Sequence, residues 1–192
     1  MEIRNMVVIR LMKSASTSLT RFVQRNGRLI AYHGLAGNFL GVHSPYRDIV
    51  RYLPMNLEEG EMKDVIFLSA VREPISRAKS AYLHLADKKK YPKPDDWIRD
   101  RWLKIPDDEE MLNGLDIPNL KVFVMERINE DAQEWAEEIG LPYPRFVRAN
   151  TLFQREGSKN KIYPKCEFLP ETENAILEKF RWTVENFYGD LN

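Results

Sequence analysis

Residues 6–23 read MVVIRLMKSASTSLTRFV: an apolar run, a short turn of small polar residues, then a helical repeat. Met6, Val7, Val8 and Ile9 form the continuous apolar stretch of a strand covered on both faces. Leu19, Phe22 and Val23 fall at i, i+3 and i+4, the spacing of one helix face. Strand, polar turn and helix in this order is the layout that cradles phosphate. The helix N-terminus aims backbone N–H groups at an anion, and its dipole favours negative charge. Lys13 adds a full positive charge, and the hydroxyls of Ser14, Ser16, Thr17 and Ser18 add donors. Taken alone, the same residues also suit an ordinary helix start rich in capping side chains.

A second segment has the same layout. Val65 to Val71 is a buried-strand run, Arg72 stands at its end, and Pro74 suits a first helical position. Ile75, Ala78, Tyr82 and Leu85 then make an apolar helical face, with Ser76 and Ser80 on another. An arginine at a strand end and a serine about two turns later can share one phosphate. Neither segment is a Walker A loop, which needs G-x-x-x-x-G-K-[ST]. The first glycine of the chain is Gly27.

The first loop, with its lysine ahead of the hydroxyl residues, resembles the 5′-phosphosulfate loop of sulfotransferases that use 3′-phosphoadenosine 5′-phosphosulfate (PAPS). The pattern V-R-[DE]-P-x-x-R-x-x-S-x-Y is carried by Val71, Arg72, Glu73, Pro74, Arg77, Ser80 and Tyr82. It resembles the 3′-phosphate motif of the same family. The string KSASTS is most similar to the hexuronyl 2-O type, in the glycan branch. Two further stretches, VFVMERINEDAQEWAEEIGL and VENFYGDLN, are more weakly similar.

The resemblance implies a sulfotransferase moving a sulfuryl group from PAPS to a hydroxyl of a glycan or small molecule, with adenosine 3′,5′-bisphosphate (PAP) as product and no metal. It implies that Lys13, Ser14, Ala15, Ser16, Thr17 and Ser18 hold the phosphosulfate and that Arg72 and Ser80 hold the 3′-phosphate. It also implies a late basic loop closing over the nucleotide. QREGSKNKIYPK (residues 154–165) is the candidate, with Arg155, Ser158, Lys159 and Lys161. Met12 stands where many members have proline and Ala15 where many have glycine. The expectation is that position 15 does not require a positive φ.

The remaining pattern favours a layered α/β fold. Strand candidates are Met6 to Leu11, Arg28 to Tyr32, Val65 to Val71 and Leu120 to Met125, with helical patterns between them. Asn129 to Gly140 reads as a helix capped by Asn129, and Glu171 to Phe187 as one helix with Ile176, Phe180, Val184 and Phe187 on a single face. The expected architecture is three-layer: a central, mostly parallel sheet flanked by helices, sulfotransferase-like or P-loop-like. A length of 192 residues suits one domain, 1–192.

Lys plus Arg and Asp plus Glu are 29 each, which argues against bulk nucleic-acid binding and leaves room for a local basic pocket. Cys166 is the only cysteine, so no internal disulfide forms and a reducing, cytoplasmic setting is expected. No apolar run approaches the roughly 20 residues of a membrane span, and the short first run does not make a signal peptide. The segment Asp87 to Asp96, DKKKYPKPDD, reads either as a solvated loop or as a wall of the acceptor site.

Sulfuryl transfer needs a group to take the acceptor proton. His33 and His43 lie between the second and third strand candidates, and His84 lies on the helix after Arg72. The glycan branch places its base in that inter-strand segment, ahead of the second motif. His43, followed by a helical run, fits better than His33, which follows a strand; Glu73 and Asp48 are the carboxylates to consider if neither serves. Two other functions remain open: a nucleotide-binding module without turnover, and a small-molecule kinase, which would need the Walker A loop the chain lacks.

Overall fold

The computed structural model describes residues 4–31, 43–58, 60–146 and 166–189. Four strands, β1 (Asn5–Val8), β2 (Arg28–Ala31), β3 (Ile66–Val71) and β4 (Leu120–Val124), form one sheet in the order β2-β1-β3-β4. Every pairing is parallel. The helices are α1 (Ser16–Asn26), α2 (Tyr46–Tyr52), α3 (Pro74–Leu85), α4 (Pro94–Asp100), α5 (Asp108–Met111), α6 (Ile128–Glu138), α7 (Pro170–Lys179) and α8 (Arg181–Phe187). The architecture is a three-layer α/β fold.

Alternation along the strands sorts the core into two faces. Met6, Val8, Leu68, Ala70 and Phe123 pack with Leu19, Phe22 and Val23 of α1 and with Ala132, Trp135 and Ala136 of α6. Val7, Ile9, Phe67, Val71 and Val124 pack on the other side with Ile49 and Leu53 and with Tyr188. The chain reaches β2 from β1 by way of α1 on one face. It returns past β1 to β3 by way of α2 on the other. Reversed direction and reversed face together satisfy the right-handed crossover rule. The sheet therefore changes winding direction between β1 and β3, where open parallel sheets place a ligand crevice. A third apolar cluster joins α3, α4 and α7 through Tyr82, Trp97, Trp102, Ile176 and Phe180.

Three sequence expectations need correcting. β1 stops at Val8 and not Leu11: Ile9 N–H still bonds Leu68 O at 2.9 Å, and the chain then leaves the sheet with Leu11 buried. Asn129 does not cap α6. The helix starts at Ile128, which is fully buried and anchors the first turn. The C-terminal run is two helices that break at Phe180. Ile176 and Phe180 pack with the third cluster, whereas Val184 and Phe187 pack on the sheet, so one straight helix could not serve both.

Gly27 joins α1 to β2 where the backbones crowd, and a Cβ there would stand 2.6 Å from Arg4 O.

Candidate functional site

The turn between β1 and α1 carries an unusual backbone. Lys13 has φ 62° and Ala15 φ 56°, while Ser14 between them is not in the positive-φ region. Alternating φ signs fold successive N–H groups toward a common concavity, the nest that binds anions. The expectation that position 15 avoids positive φ is thus overturned. Ala15 is the residue before α1 and adopts the left-handed conformation, which turns the chain sharply into the helix. Its methyl is the smallest side chain that still pays the steric cost.

Because Ala15 carries no side-chain acceptor, no side chain caps α1. The helix N-terminus carries a partial positive charge, and its first turn holds no acidic side chain. Ser14 is 1% exposed, and its Oγ has no hydrogen-bond partner among the described residues. A buried hydroxyl left unpaired costs stability unless a ligand completes it. Ser16 opens α1, its carbonyl accepting from Thr20 Oγ1 at 2.8 Å; Thr17 follows, half-buried, and Ser18 is buried.

The N-terminus of α3 is different. Glu73 caps it, accepting from Ile75 N–H at 2.8 Å and Ser76 N–H at 2.6 Å. That cap engages both Glu73 oxygens and sets a carboxylate at this helix end. What the β3–α3 turn offers instead is the Arg72 side chain. Arg72 is half-buried; burial lowers its pKa, and the charges of Glu126 and Glu73 oppose that shift. Glu126 is further held by Tyr188, whose hydroxyl donates to Oε2 at 2.6 Å. Burial and this carboxylate push the Tyr188 pKa far up, so the phenol keeps its proton.

Lys13 lies in the turn after β1 and Arg72 directly after the neighbouring strand β3, close enough for the Arg72 charge to act on Lys13. Burial lowers the Lys13 pKa, and the Arg72 charge lowers it further. Two neighbouring cations, one of them also under the influence of Glu126 and Glu73, make a locally basic site that suits an anion. Ser80 lies half-buried two turns along α3, its carbonyl accepting from His84 Nδ1 at 2.8 Å.

His43 meets the same loop. Its Nδ1 lies 2.6 Å from Arg10 O. A carbonyl can only accept, so Nδ1 carries the proton and Nε2 keeps its lone pair. Burial lowers the His43 pKa below its ordinary value; the bond to Arg10 O opposes this, and the Arg10 and Arg77 charges add to the lowering. Asp48 sits in the first turn of α2, 3.7 Å from Arg51. His33, Arg155, Ser158, Lys159 and Lys161 lie outside the described residues.

The sequence reading assigned no role to the group that supports this loop. Arg77 is 2% exposed; its Nη1 donates to Asp108 Oδ1 and Oδ2 at 2.6 and 2.7 Å, and its Nε to Met12 O at 2.7 Å. Thr183 Oγ1 donates to Asp108 Oδ2 at 2.8 Å. One buried guanidinium therefore ties α3, α5 and α8 to the carbonyl just before Lys13. Arg77 belongs to the second motif, which was a usable signal. Asp108 lies in the run DDEE, which reads as a solvated acidic stretch.

Among the described residues no group of three or more His, Cys, Asp or Glu side chains could hold a metal ion. None of the helices there is long and apolar enough to cross a membrane. Comparison with protein-family models, with curated proteins and with solved structures gives no match in any of the three.

Proposed function

We propose that the chain is a sulfotransferase that moves a sulfuryl group from PAPS to an acceptor hydroxyl. One observation carries the reading. The uncapped, nest-shaped turn before α1 follows β1, Arg72 follows the neighbouring strand β3, and the Arg72 charge acts on Lys13, which supports a shared anion site at the winding switch. PAP and PAPS carry two anionic groups on one adenosine, and the Lys13 turn and the Arg72 side chain are two basic groups that could receive them. The buried, unpartnered Ser14 hydroxyl fits the phosphosulfate end.

In this reading, Lys13 and the loop amides hold the 5′-phosphosulfate, and Arg72 with Ser80 holds the 3′-phosphate. His43 Nε2 takes the acceptor proton as the acceptor oxygen bonds to sulfur. The bond from sulfur to the bridging oxygen breaks, and the electron pair stays on the departing phosphate. Lys13 stabilises that charge. The fixed donors are already in place when charge develops, the usual source of electrostatic catalysis. His43 then releases its proton to water. Arg77 holds the Met12 carbonyl and so keeps Lys13 where the leaving oxygen forms.

The test is a pair of thermal shifts followed by a transfer assay. PAP raises the melting temperature in proportion to ln(1 + [L]/Kd), while ATP with Mg²⁺ does not. Labelled PAPS then transfers label to a member of a pooled acceptor set. Stabilisation by ATP–Mg²⁺ alone would favour a kinase. A PAP shift with no transfer to any acceptor would favour a binding module without turnover.

A further inference from the structure

Beside the crevice lies a pocket of about 450 Å³ that the phosphate loop itself helps to build. Met12, the residue before Lys13, forms part of its wall, together with Tyr91, Trp97 and Trp102. Trp97 and Trp102 stack with ring centroids 6.0 Å apart. The mouth is framed by Leu85, which is 54% exposed, and by the charged side chains of Lys90 and Arg101. Asp87 is also at the mouth, and its carboxylate caps the turn by accepting from Lys89 N–H at 2.9 Å. The segment that the sequence left open between solvated loop and acceptor wall therefore contributes Lys90 and Tyr91 to this lining.

The chemistry of the walls selects a class of occupant. A thioether and three aromatic rings offer area and π-faces, with few groups to match the hydroxyls of a sugar. Trp102 is 1% exposed, and its indole N–H has no hydrogen-bond partner among the described residues. The pocket is large enough for a ligand of one to two rings, and its wall includes Met12, the residue before the one assigned to the leaving oxygen. The charges at the mouth, two cations against one carboxylate, disfavour a cationic ligand.

We propose that this pocket holds the acceptor, and that the acceptor is an apolar ring alcohol or phenol, neutral or anionic, in place of the uronic glycan that the loop sequence resembles. The assignment rests on the sulfotransferase reading for the word acceptor; the ligand class rests on the pocket. With Met12 in the wall, a hydroxyl at the inner end of such a ligand comes toward the sulfuryl group held by Lys13.

The experiment uses the full chain saturated with PAP, with 2-naphthol and a uronic-acid disaccharide as probes in calorimetry. The expected result is one-to-one binding of 2-naphthol and none of the disaccharide. Leu85→Glu, at an exposed position, and Ile105→Glu, at a half-buried lining position, each weaken 2-naphthol at least tenfold and leave the PAP thermal shift as it is in the wild type. Labelled PAPS then transfers to 2-naphthol. A normal PAP shift with 2-naphthol unbound, or bound equally by both variants, overturns the pocket assignment and leaves the sulfotransferase reading standing. Binding of 2-naphthol that both variants lose, with no PAP shift, overturns the sulfotransferase reading and with it the acceptor role.

Discussion

Arg77 Nη1 meets both carboxylate oxygens of Asp108, at 2.6 and 2.7 Å, with both side chains buried. Truncating one member of such a pair leaves the other charge buried and uncompensated, which costs about 3–5 kcal/mol. Asp108→Ala is expected to lose that much in urea unfolding. Thr183→Val removes one neutral donor to a charged acceptor and should cost about 1.5–3 kcal/mol. An Asp108→Ala loss below about 1 kcal/mol would mean that Arg77 finds other partners once the carboxylate is gone.

Ala15 adopts φ 56° and ψ 15°. A left-handed L-residue costs about 1–2 kcal/mol, and glycine there avoids it. Glycine in turn gives the unfolded chain about 0.4–1 kcal/mol of extra entropy. Ala15→Gly should therefore stabilise the protein by about 0.5–1 kcal/mol, measured by thermal or urea unfolding. Destabilisation would show that the Ala15 methyl, which packs against the α1 side of the sheet, contributes more than the backbone costs.

The layered fold was legible because parallel strands buried on both faces read as near-continuous apolar runs, as in Val65 to Val71, which only Ser69 interrupts. That Lys13 and Arg72 each lie in a turn from strand to helix was legible from the local pattern, but the neighbouring of β1 and β3 is a matter of strand order, which no local pattern encodes. The break at Phe180 was hidden for a related reason. Ile176, Phe180, Val184 and Phe187 share one helical period, and only the tertiary contacts divide them between two clusters. The left-handed Ala15 runs against the intrinsic preference of an L-residue, so no propensity signals it. Asp108 was invisible because an acidic run normally faces water, and only the distant Arg77 makes burial of this one carboxylate tolerable.

Arg72 is the group that should separate nucleotides bearing a 3′-phosphate from those without one. Arg72→Ala is expected to weaken PAP by about 1.5–3 kcal/mol, the range for hydrogen bonds to charged groups, in calorimetry. Adenosine 5′-phosphate, which lacks the 3′ group, should bind the variant almost as well as the wild type. Equal losses for the two ligands would place the Arg72 contribution in the fold of the β3–α3 turn.

His43 donates from Nδ1 to Arg10 O, and burial depresses its pKa. Two consequences follow with definite signs. As a base, His43 must be neutral, so kcat should rise with pH through an acid limb centred below the ordinary value of about 6.5 and then level off. For folding, the unfolded chain binds this proton more tightly than the native one. The corresponding stability is present above about pH 6.5 and is lost as pH falls through the folded value. His43→Ala should lower kcat about 10²- to 10⁴-fold and leave PAP affinity nearly intact. The acid limb should vanish from the residual rate. His43→Gln serves as the companion variant, because its side-chain amide can still donate to Arg10 O while offering no basic nitrogen. If His43→Gln retains wild-type turnover, the histidine only positions the loop. If His33→Ala abolishes turnover and His43→Ala does not, the base is His33.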